Sequence, residues 1–91
     1  NNYQWGMIQN QQKAMWAGKV VATSLRKMEY HPIMAAAGVF SQQTADVDGI
    51  VAALDAARAQ SRPAFIEVIT EAAPSPITQG LVDMRVRTAI E

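Results

Sequence analysis

The sequence predicts an α/β fold in which helices cover both faces of a parallel sheet. Helical and strand-like patterns alternate along the chain, which is the signature of such a sheet. The strongest strand candidate, residues 64–70, is nearly continuous in apolar residues, as expected for a strand covered on both faces. Two strands do not make a stable parallel sheet, so further strands are expected from polypeptide that precedes Asn1.

The first half of the chain is predicted to hold two helices. Residues 5–16 have a helical pattern that ends near Gly18, and residues 19–30 are interpreted mostly as loop. A second helix begins at His31-Pro32, because proline suits a first helical turn. Gly38 ends it.

The second half is predicted to contain both strands. Residues 39–43 form a short strand, and Asp46 or Thr44 caps the helix that follows. The apolar residues of that helix form a stripe: Val47, Ile50, Val51, Leu54 and Ala57. After strand 64–70, the segment 71–80 is predicted to be a connector because it contains Pro74 and Pro76, and residues 81–90 form a terminal helix.

Composition narrows the class of protein. The 91 residues carry eight basic and eight acidic side chains and no cysteine. This balance argues against nucleic acid or an anionic membrane as a partner, and the lack of cysteine excludes disulfides and thiolate metal sites. No apolar run approaches the ~20 residues of a membrane span. We expect a soluble, cytoplasmic protein.

Three stretches resemble one enzyme family, and they occur in the family's order. They are Asn1-Asn2-x-x-Trp5-Gly6, the stretch from Tyr30-His31 to Gly38, and the stretch from Ser61 to Val68. Residues 1–76 thereby resemble the C-terminal half of the diphosphate-binding domain of acetolactate-synthase-like thiamine-diphosphate enzymes. Within that group they are most similar to benzaldehyde lyase and its carboligase relatives, and near the start also to sulfoacetaldehyde acetyltransferase. Residues 77–91 are a tail or helix that the resemblance does not cover.

The resemblance implies two cofactors, thiamine diphosphate and Mg²⁺. Magnesium prefers oxygen ligands, and the resemblance implies that Asn2 supplies its side-chain oxygen and Gln4 its main-chain oxygen. The residues expected to contact the cofactor are Asn2, Gln4, Trp5, Gly6 and Met7. The implied reaction makes or breaks a C–C bond next to a carbonyl, as in a lyase or carboligase, on a small carbonyl compound or keto acid.

Met7 and Gln11 stand where the benzaldehyde-lyase relatives line the acceptor pocket with a small and an aromatic residue. A thioether and an amide at these positions favour a smaller or more polar substrate. The residues alone also allow ordinary roles, with Met7 as a core filler and Gln11 as a solvated helix residue.

The resemblance also implies partners. A Gly-Asp-Gly segment upstream would supply the acidic metal ligand, and a pyrimidine-binding domain, usually of a neighbouring subunit, would supply the activating glutamate. Glu29, Glu67 and Glu71 do not match that glutamate. The enzyme is expected to be a homodimer or homotetramer, and the 91 residues alone are expected to be inactive.

Other interpretations remain open at this point. His31, the only histidine, is interpreted as a capping or surface residue rather than an acid or base. Asp46 and Asp48 are interpreted as residues that cap a helix start or interact favourably with the helix dipole, rather than as a metal pair. The alternative functions are a non-catalytic α/β interaction module and a family member that has lost catalysis.

Overall fold

The computed structural model describes residues 1–90, without the side chains of residues 81, 82, 85, 86 and 88–90. Its elements in chain order are α1 (Gly6–Met15), α2 (His31–Ala36), β1 (Phe40–Thr44), α3 (Val47–Arg58), β2 (Ala64–Val68) and α4 (Pro76–Ile90). They form two compact units. The first contains Asn1 and residues 27–70, and the second contains residues 2–26 and 71–90.

The first unit is built on a two-stranded parallel sheet. β1 and β2 pair in a register that runs from Phe40 opposite Ala64 to Thr44 opposite Val68. Helices α2 and α3 each contact both strands. This arrangement confirms the predicted α/β class with a parallel sheet.

Asn1 lies on the edge of β2 that faces away from β1. Its main-chain nitrogen donates to the Val68 carbonyl oxygen (2.6 Å), and the Thr70 nitrogen donates to the Asn1 carbonyl oxygen (3.0 Å). In a pair of parallel strands, a residue forms its two hydrogen bonds with the residues before and after the one that lies opposite it. The backbone at Asn1 therefore runs parallel to β2.

The second unit consists of two helices and one isolated bridge. Helices α1 and α4 are in contact, and Gln4 pairs with Ser24 in an antiparallel bridge. Within residues 1–90, the helices are too short or too polar to cross a membrane.

The structure confirms most predicted elements and corrects one boundary. Helix α1, helix α2, both strands and helix α3 lie where the sequence predicts them, with ends that shift by one or two residues. The last helix begins at Pro76 rather than at residue 81. The expectation of a connector through residue 80 was wrong because proline is tolerated in a first helical turn. Ser75 caps this helix by accepting from the Thr78 nitrogen (3.2 Å).

Only part of the apolar stripe on α3 is covered. Of its members, Ile50 and Ala57 are half-buried, and the buried residue of the helix is Ala53, which the predicted stripe does not include. The remaining apolar residues of the stripe, Val47, Val51 and Leu54, are exposed. The helix therefore contacts the sheet with the face that carries its small alanines. Asp46 caps its start by accepting from the Gly49 nitrogen (2.6 Å), which confirms the capping interpretation.

Replacing Gly49 with alanine is expected to lower the free energy of unfolding by about 1–3 kcal/mol through overpacking. A Cβ at this position would overlap the Thr44 side chain, which lies at the end of β1. The measurement is denaturant unfolding of the variant and the wild type.

The matched control for this substitution is Gly80→Ala in α4, where a Cβ would meet no described atom within 4 Å. Alanine exceeds glycine in helix propensity by up to about 1 kcal/mol, so this variant is expected to gain stability. Equal effects of the two substitutions would contradict the packing of α3 against Thr44.

Candidate functional site

Asn2 and Gln4 are joined by a tight turn. Tyr3 between them has a φ of +57°, in the left-handed region that residues with a Cβ rarely adopt. The Gln4 nitrogen lies 3.4 Å from the Asn2 side-chain oxygen, to which it donates a long hydrogen bond. The turn therefore brings the Asn2 amide next to the Gln4 backbone, although one residue separates them in sequence.

The bridge to Ser24 orients the Gln4 backbone. The two bonds of this bridge come from the flanking residues, from the Trp5 nitrogen to the Thr23 oxygen and from the Leu25 nitrogen to the Tyr3 oxygen, both 2.9 Å. In this arrangement the N–H and C=O of the central residue point away from the paired strand. The Gln4 carbonyl oxygen consequently faces the side on which the Asn2 amide lies.

Gly6, the first residue of α1, leaves room for the amide groups. A Cβ on Gly6 would lie 2.9 Å from Asn2 Nδ2 and 3.5 Å from Gln4 Nε2. The N-cap residue is Trp5, which has no side-chain oxygen to cap the helix. The first peptide N–H groups of α1 therefore stand at an end suited to an anion.

The side chain of Gln4 carries a buried donor that lacks an acceptor. Its Nε2 atom has no hydrogen-bond partner among the residues that the structure describes. A buried donor without an acceptor costs about 1–3 kcal/mol. A phosphate oxygen would satisfy it, while the Asn2 and Gln4 oxygens are ligands of the type that Mg²⁺ prefers. These residues fit a metal-bound diphosphate.

A cleft of about 320 Å³ adjoins this turn. The residues that line it are Asn2, Gly6, Met7, Asn10, Ala73, Ser75 and Thr78. The structure thus brings three of the predicted site residues, Asn2, Gly6 and Met7, to one cleft. The described lining does not include Gln4, Trp5, whose side chain is exposed, or Gln11, which is exposed on α1. The metal, cofactor and substrate roles of the predicted site residues all stay predictions.

A second cluster, in the first unit, surrounds the carboxylate of Glu67. This residue of β2 is only 3% exposed. The Tyr30 and His31 nitrogens donate to it at 3.0 Å, as does Asn1 Nδ2 at 2.9 Å. His31 Nδ1 lies 2.8 Å from Glu67 Oε2, and Gln43 Nε2 lies 3.5 Å from the same oxygen. The carboxylate thereby holds the start of α2 and the Asn1 side chain.

These hydrogen bonds determine the protonation of Glu67. Burial raises the pKa of the carboxyl, but the hydrogen bonds from Tyr30, His31 and Asn1 outweigh burial and lower the pKa from 4.5 to about 2. A carboxylate that accepts several N–H bonds is stabilised in its charged form. Glu67 is therefore ionised at neutral pH despite its burial.

The structural roles of Glu67 and His31 differ from the sequence expectations in one respect. His31 begins α2, but its ring contacts a buried carboxylate rather than only solvent. The sequence reasoning missed this pairing and considered Glu67 only as a mismatch to a catalytic glutamate. Two signals could have found it, a single charged residue inside an apolar strand and the only histidine at a helix start.

Replacing Gly6 with alanine is expected to weaken binding about tenfold at the predicted metal–diphosphate site while changing stability little. The new methyl group would displace the Asn2 amide, which is a movable side chain rather than backbone. Loss of a supporting contact at a metal site typically costs 10–100-fold in affinity. Calorimetric titration with thiamine diphosphate and Mg²⁺ measures the change in these residues assembled with the polypeptide expected to supply the acidic metal ligand. Gly80→Ala in α4 is the control, and unchanged affinity in Gly6→Ala would contradict the assignment of the turn.

A comparison with known protein families gives a match that includes this turn. Residues 1–68 match the family model described as "Thiamine pyrophosphate enzyme, C-terminal TPP binding domain". The matched range covers most of the chain and contains both the Asn2–Gly6 turn and the Glu67 cluster. It ends before Ala73, Ser75 and Thr78 of the cleft.

Proposed function

Because the chain belongs to the family of C-terminal TPP-binding domains of thiamine pyrophosphate enzymes, we propose that it is part of an enzyme that makes or breaks a C–C bond next to a carbonyl. TPP is thiamine diphosphate under its other name. The proposed class is a lyase or carboligase of the acetolactate-synthase and benzaldehyde-lyase type. The observation that carries the proposal is the Asn2–Gly6 turn, which lies inside the family match and at a cleft.

The proposal includes Mg²⁺ as the second cofactor. The Asn2 side-chain oxygen and the Gln4 main-chain oxygen are its proposed ligands, and both are neutral. The donor at Gln4 Nε2 and the first N–H groups of α1 are suited to the diphosphate. When bound, thiamine diphosphate supplies a thiazolium carbon that stabilises a carbanion next to the substrate carbonyl. The role of these residues is to bind and orient that cofactor.

The remaining metal ligand and the activating acid are proposed to come from a partner polypeptide. Mg²⁺ requires a near-octahedral oxygen shell, which two neutral oxygens and a diphosphate fill only in part. We propose that an upstream Gly-Asp-Gly segment supplies the acidic ligand. The parallel pairing of Asn1 with β2 supports a strand at this position. The pyrimidine-binding domain, the homodimer or homotetramer and the cytoplasmic location belong to the same proposal.

The substrate is proposed to be a small carbonyl compound or keto acid. Met7 lies in the wall of the cleft, where its flexible thioether adapts to small apolar groups. Met7 stands where the benzaldehyde-lyase relatives carry a small residue, and its longer side chain supports a substrate smaller than an aromatic aldehyde.

The proposal is tested by incubating the complete enzyme, meaning these residues assembled with the proposed partner polypeptide, with carbon-13-labelled pyruvate. Small aldehydes serve as acceptors, and nuclear magnetic resonance follows the products. We expect new signals from a hydroxy ketone or hydroxy keto acid that require both cofactors. Cofactor binding without any C–C chemistry on keto acids, aldehydes and hydroxy ketones would identify a member that has lost catalysis. Failure to bind thiamine diphosphate at all would favour the interaction module.

A further inference from the structure

Asn1, the first amide of the Asn1-Asn2 pair, is not among the proposed metal ligands, yet its side chain is held on both of its donor positions. Asn1 Nδ2 donates to Glu67 Oε1 at 2.9 Å and to the Met28 carbonyl oxygen at 3.0 Å. An amide NH₂ group carries two hydrogens to donate, so these two acceptors match its capacity. The bond to the carboxylate is the stronger of the two, because a charged acceptor strengthens a hydrogen bond.

The Glu67 carboxylate that accepts from Asn1 is itself held by other groups. The residue is 3% exposed, and the Tyr30 nitrogen donates to the same oxygen, Oε1, at 3.0 Å. The other oxygen, Oε2, accepts from the His31 nitrogen at 3.0 Å and lies 2.8 Å from His31 Nδ1. The start of α2 therefore fixes the carboxylate independently of Asn1, and Asn1 is the partner that the carboxylate holds.

The two asparagines use opposite ends of the same amide. At Asn1 the NH₂ group is used, because the described acceptors are a carboxylate and a carbonyl. At Asn2 the oxygen is the proposed ligand, since Mg²⁺ prefers oxygen. An aspartate in place of Asn1 would have no N–H to donate and would place a second negative charge against Glu67. The chemistry at Asn1 is therefore that of a support for a neighbouring residue rather than that of a ligand.

The position of Asn1 restricts the residue that follows it. The Asn1 carbonyl oxygen accepts from the Thr70 nitrogen at 3.0 Å, which fixes the direction of that carbonyl. The carbonyl shares one rigid, planar peptide unit with the nitrogen and Cα of Asn2. Bonds to the side chain and the carbonyl of Asn1 therefore restrain the Cα from which Asn2 extends its side chain. This restraint suits a metal ligand, because metal–ligand distances tolerate deviations of only about 0.2 Å.

We infer that Glu67 and Asn1 are positioning residues for the metal: the buried carboxylate holds the Asn1 amide, and Asn1 in turn holds the backbone from which Asn2 presents its oxygen. Neither residue contacts the ion in this account. The inference rests on the proposed function, because it assumes that Asn2 is a ligand of Mg²⁺.

The experiment measures the Kd of Mg²⁺ by calorimetric titration of the complete enzyme in saturating thiamine diphosphate. For Asn1→Ala we expect the Kd to rise about tenfold, at the lower end of the effect of residues that support a metal ligand. Glu67→Asp keeps the charge but withdraws the oxygens by one methylene, so we expect the Kd to rise in the same way. Because the two residues act as a unit, the double variant is expected to show no further rise.

The control for lost stability is His31→Phe. It keeps a ring and the backbone N–H at this position, removes the contact between the ring nitrogen and Glu67, and leaves the bond from Asn1 in place. We expect this variant to lose stability while its Kd for Mg²⁺ stays unchanged. A general weakening of the fold would instead raise the Kd in His31→Phe as well.

A second comparison tests whether Asn1 acts through Asn2. In an Asn2→Ala background the ligand is already missing, so adding Asn1→Ala is expected to raise the Kd no further. The inference is overturned by an unchanged Kd in Asn1→Ala or Glu67→Asp, by an equal rise in His31→Phe, or by additive effects of Asn1→Ala and Asn2→Ala. Failure of the wild type to bind thiamine diphosphate with Mg²⁺ would instead overturn the proposed function, and the inference with it.

Discussion

Replacing Asn2 with alanine is expected to weaken Mg²⁺-dependent binding of thiamine diphosphate by on the order of 100-fold, at the upper end of the effect of groups that support a metal site. The substitution removes a proposed oxygen ligand of the metal. The substitution is expected to change the stability of the fold little. The hydrogen bond described for the Asn2 side chain is a long one, from the Gln4 nitrogen at 3.4 Å. The measurement is calorimetric titration of the complete enzyme with the cofactor at fixed Mg²⁺.

Asn2→Asp is the informative companion variant. It keeps an oxygen at the same position and adds a negative charge, so it is expected to retain binding of the metal far better than Asn2→Ala. Unfolding of the three proteins should occur at similar denaturant concentrations. If Asn2→Ala binds the cofactor as tightly as the wild type, Asn2 is not part of the site.

Replacing Glu67 with glutamine is expected to lower the free energy of unfolding by about 3 kcal/mol or more. The groups around this carboxylate are donors, namely the nitrogens of Asn1, Tyr30, His31 and Gln43. A glutamine would turn an NH₂ group toward them and leave several buried donors without acceptors, each of which costs about 1–3 kcal/mol. Glu71→Gln, at an exposed position, is the control and should change stability by less than about 0.5 kcal/mol.

The same residue predicts how stability depends on pH. The pKa of Glu67 is about 2 in the folded protein against an ordinary value of 4.5, so the unfolded chain binds a proton more readily than the folded one. The stabilisation is therefore complete above about pH 4.5 and is lost as the pH falls toward about 2. Unfolding followed across this window should show a steeper loss in the wild type than in Glu67→Gln. Parallel curves would contradict the described hydrogen bonds.

The sequence predicts the elements whose evidence is local. β2 is a continuous apolar run, α2 begins with a proline and α3 begins with a capping aspartate, so each can be recognised within a few residues. The turn at Asn2 is also local, because two amides, a glycine and a helix start follow one another. These features lie inside the range that the family match covers.

The features that the sequence could not predict depend on contacts between residues that are far apart in the chain. Glu67 meets Tyr30 and His31 across more than 30 positions. Glu67 and His31 each stand out within their own element, but no spacing rule pairs them. Helix α3 contacts both strands and buries Ala53, a residue that the apolar stripe does not include. The polar lining at Ser75 and Thr78 depends on where α4 packs against α1, and residues 71–80 were interpreted as a connector.

The most direct test of the central claim, that the Asn2–Gly6 turn binds a metal diphosphate, is a titration of the complete enzyme with thiamine diphosphate. It is carried out once with Mg²⁺ and once with a chelator present. The proposed site predicts one cofactor per chain with Mg²⁺ and a large loss of affinity in the chelator. Binding of equal strength in both solutions, or no binding with Mg²⁺, would contradict it.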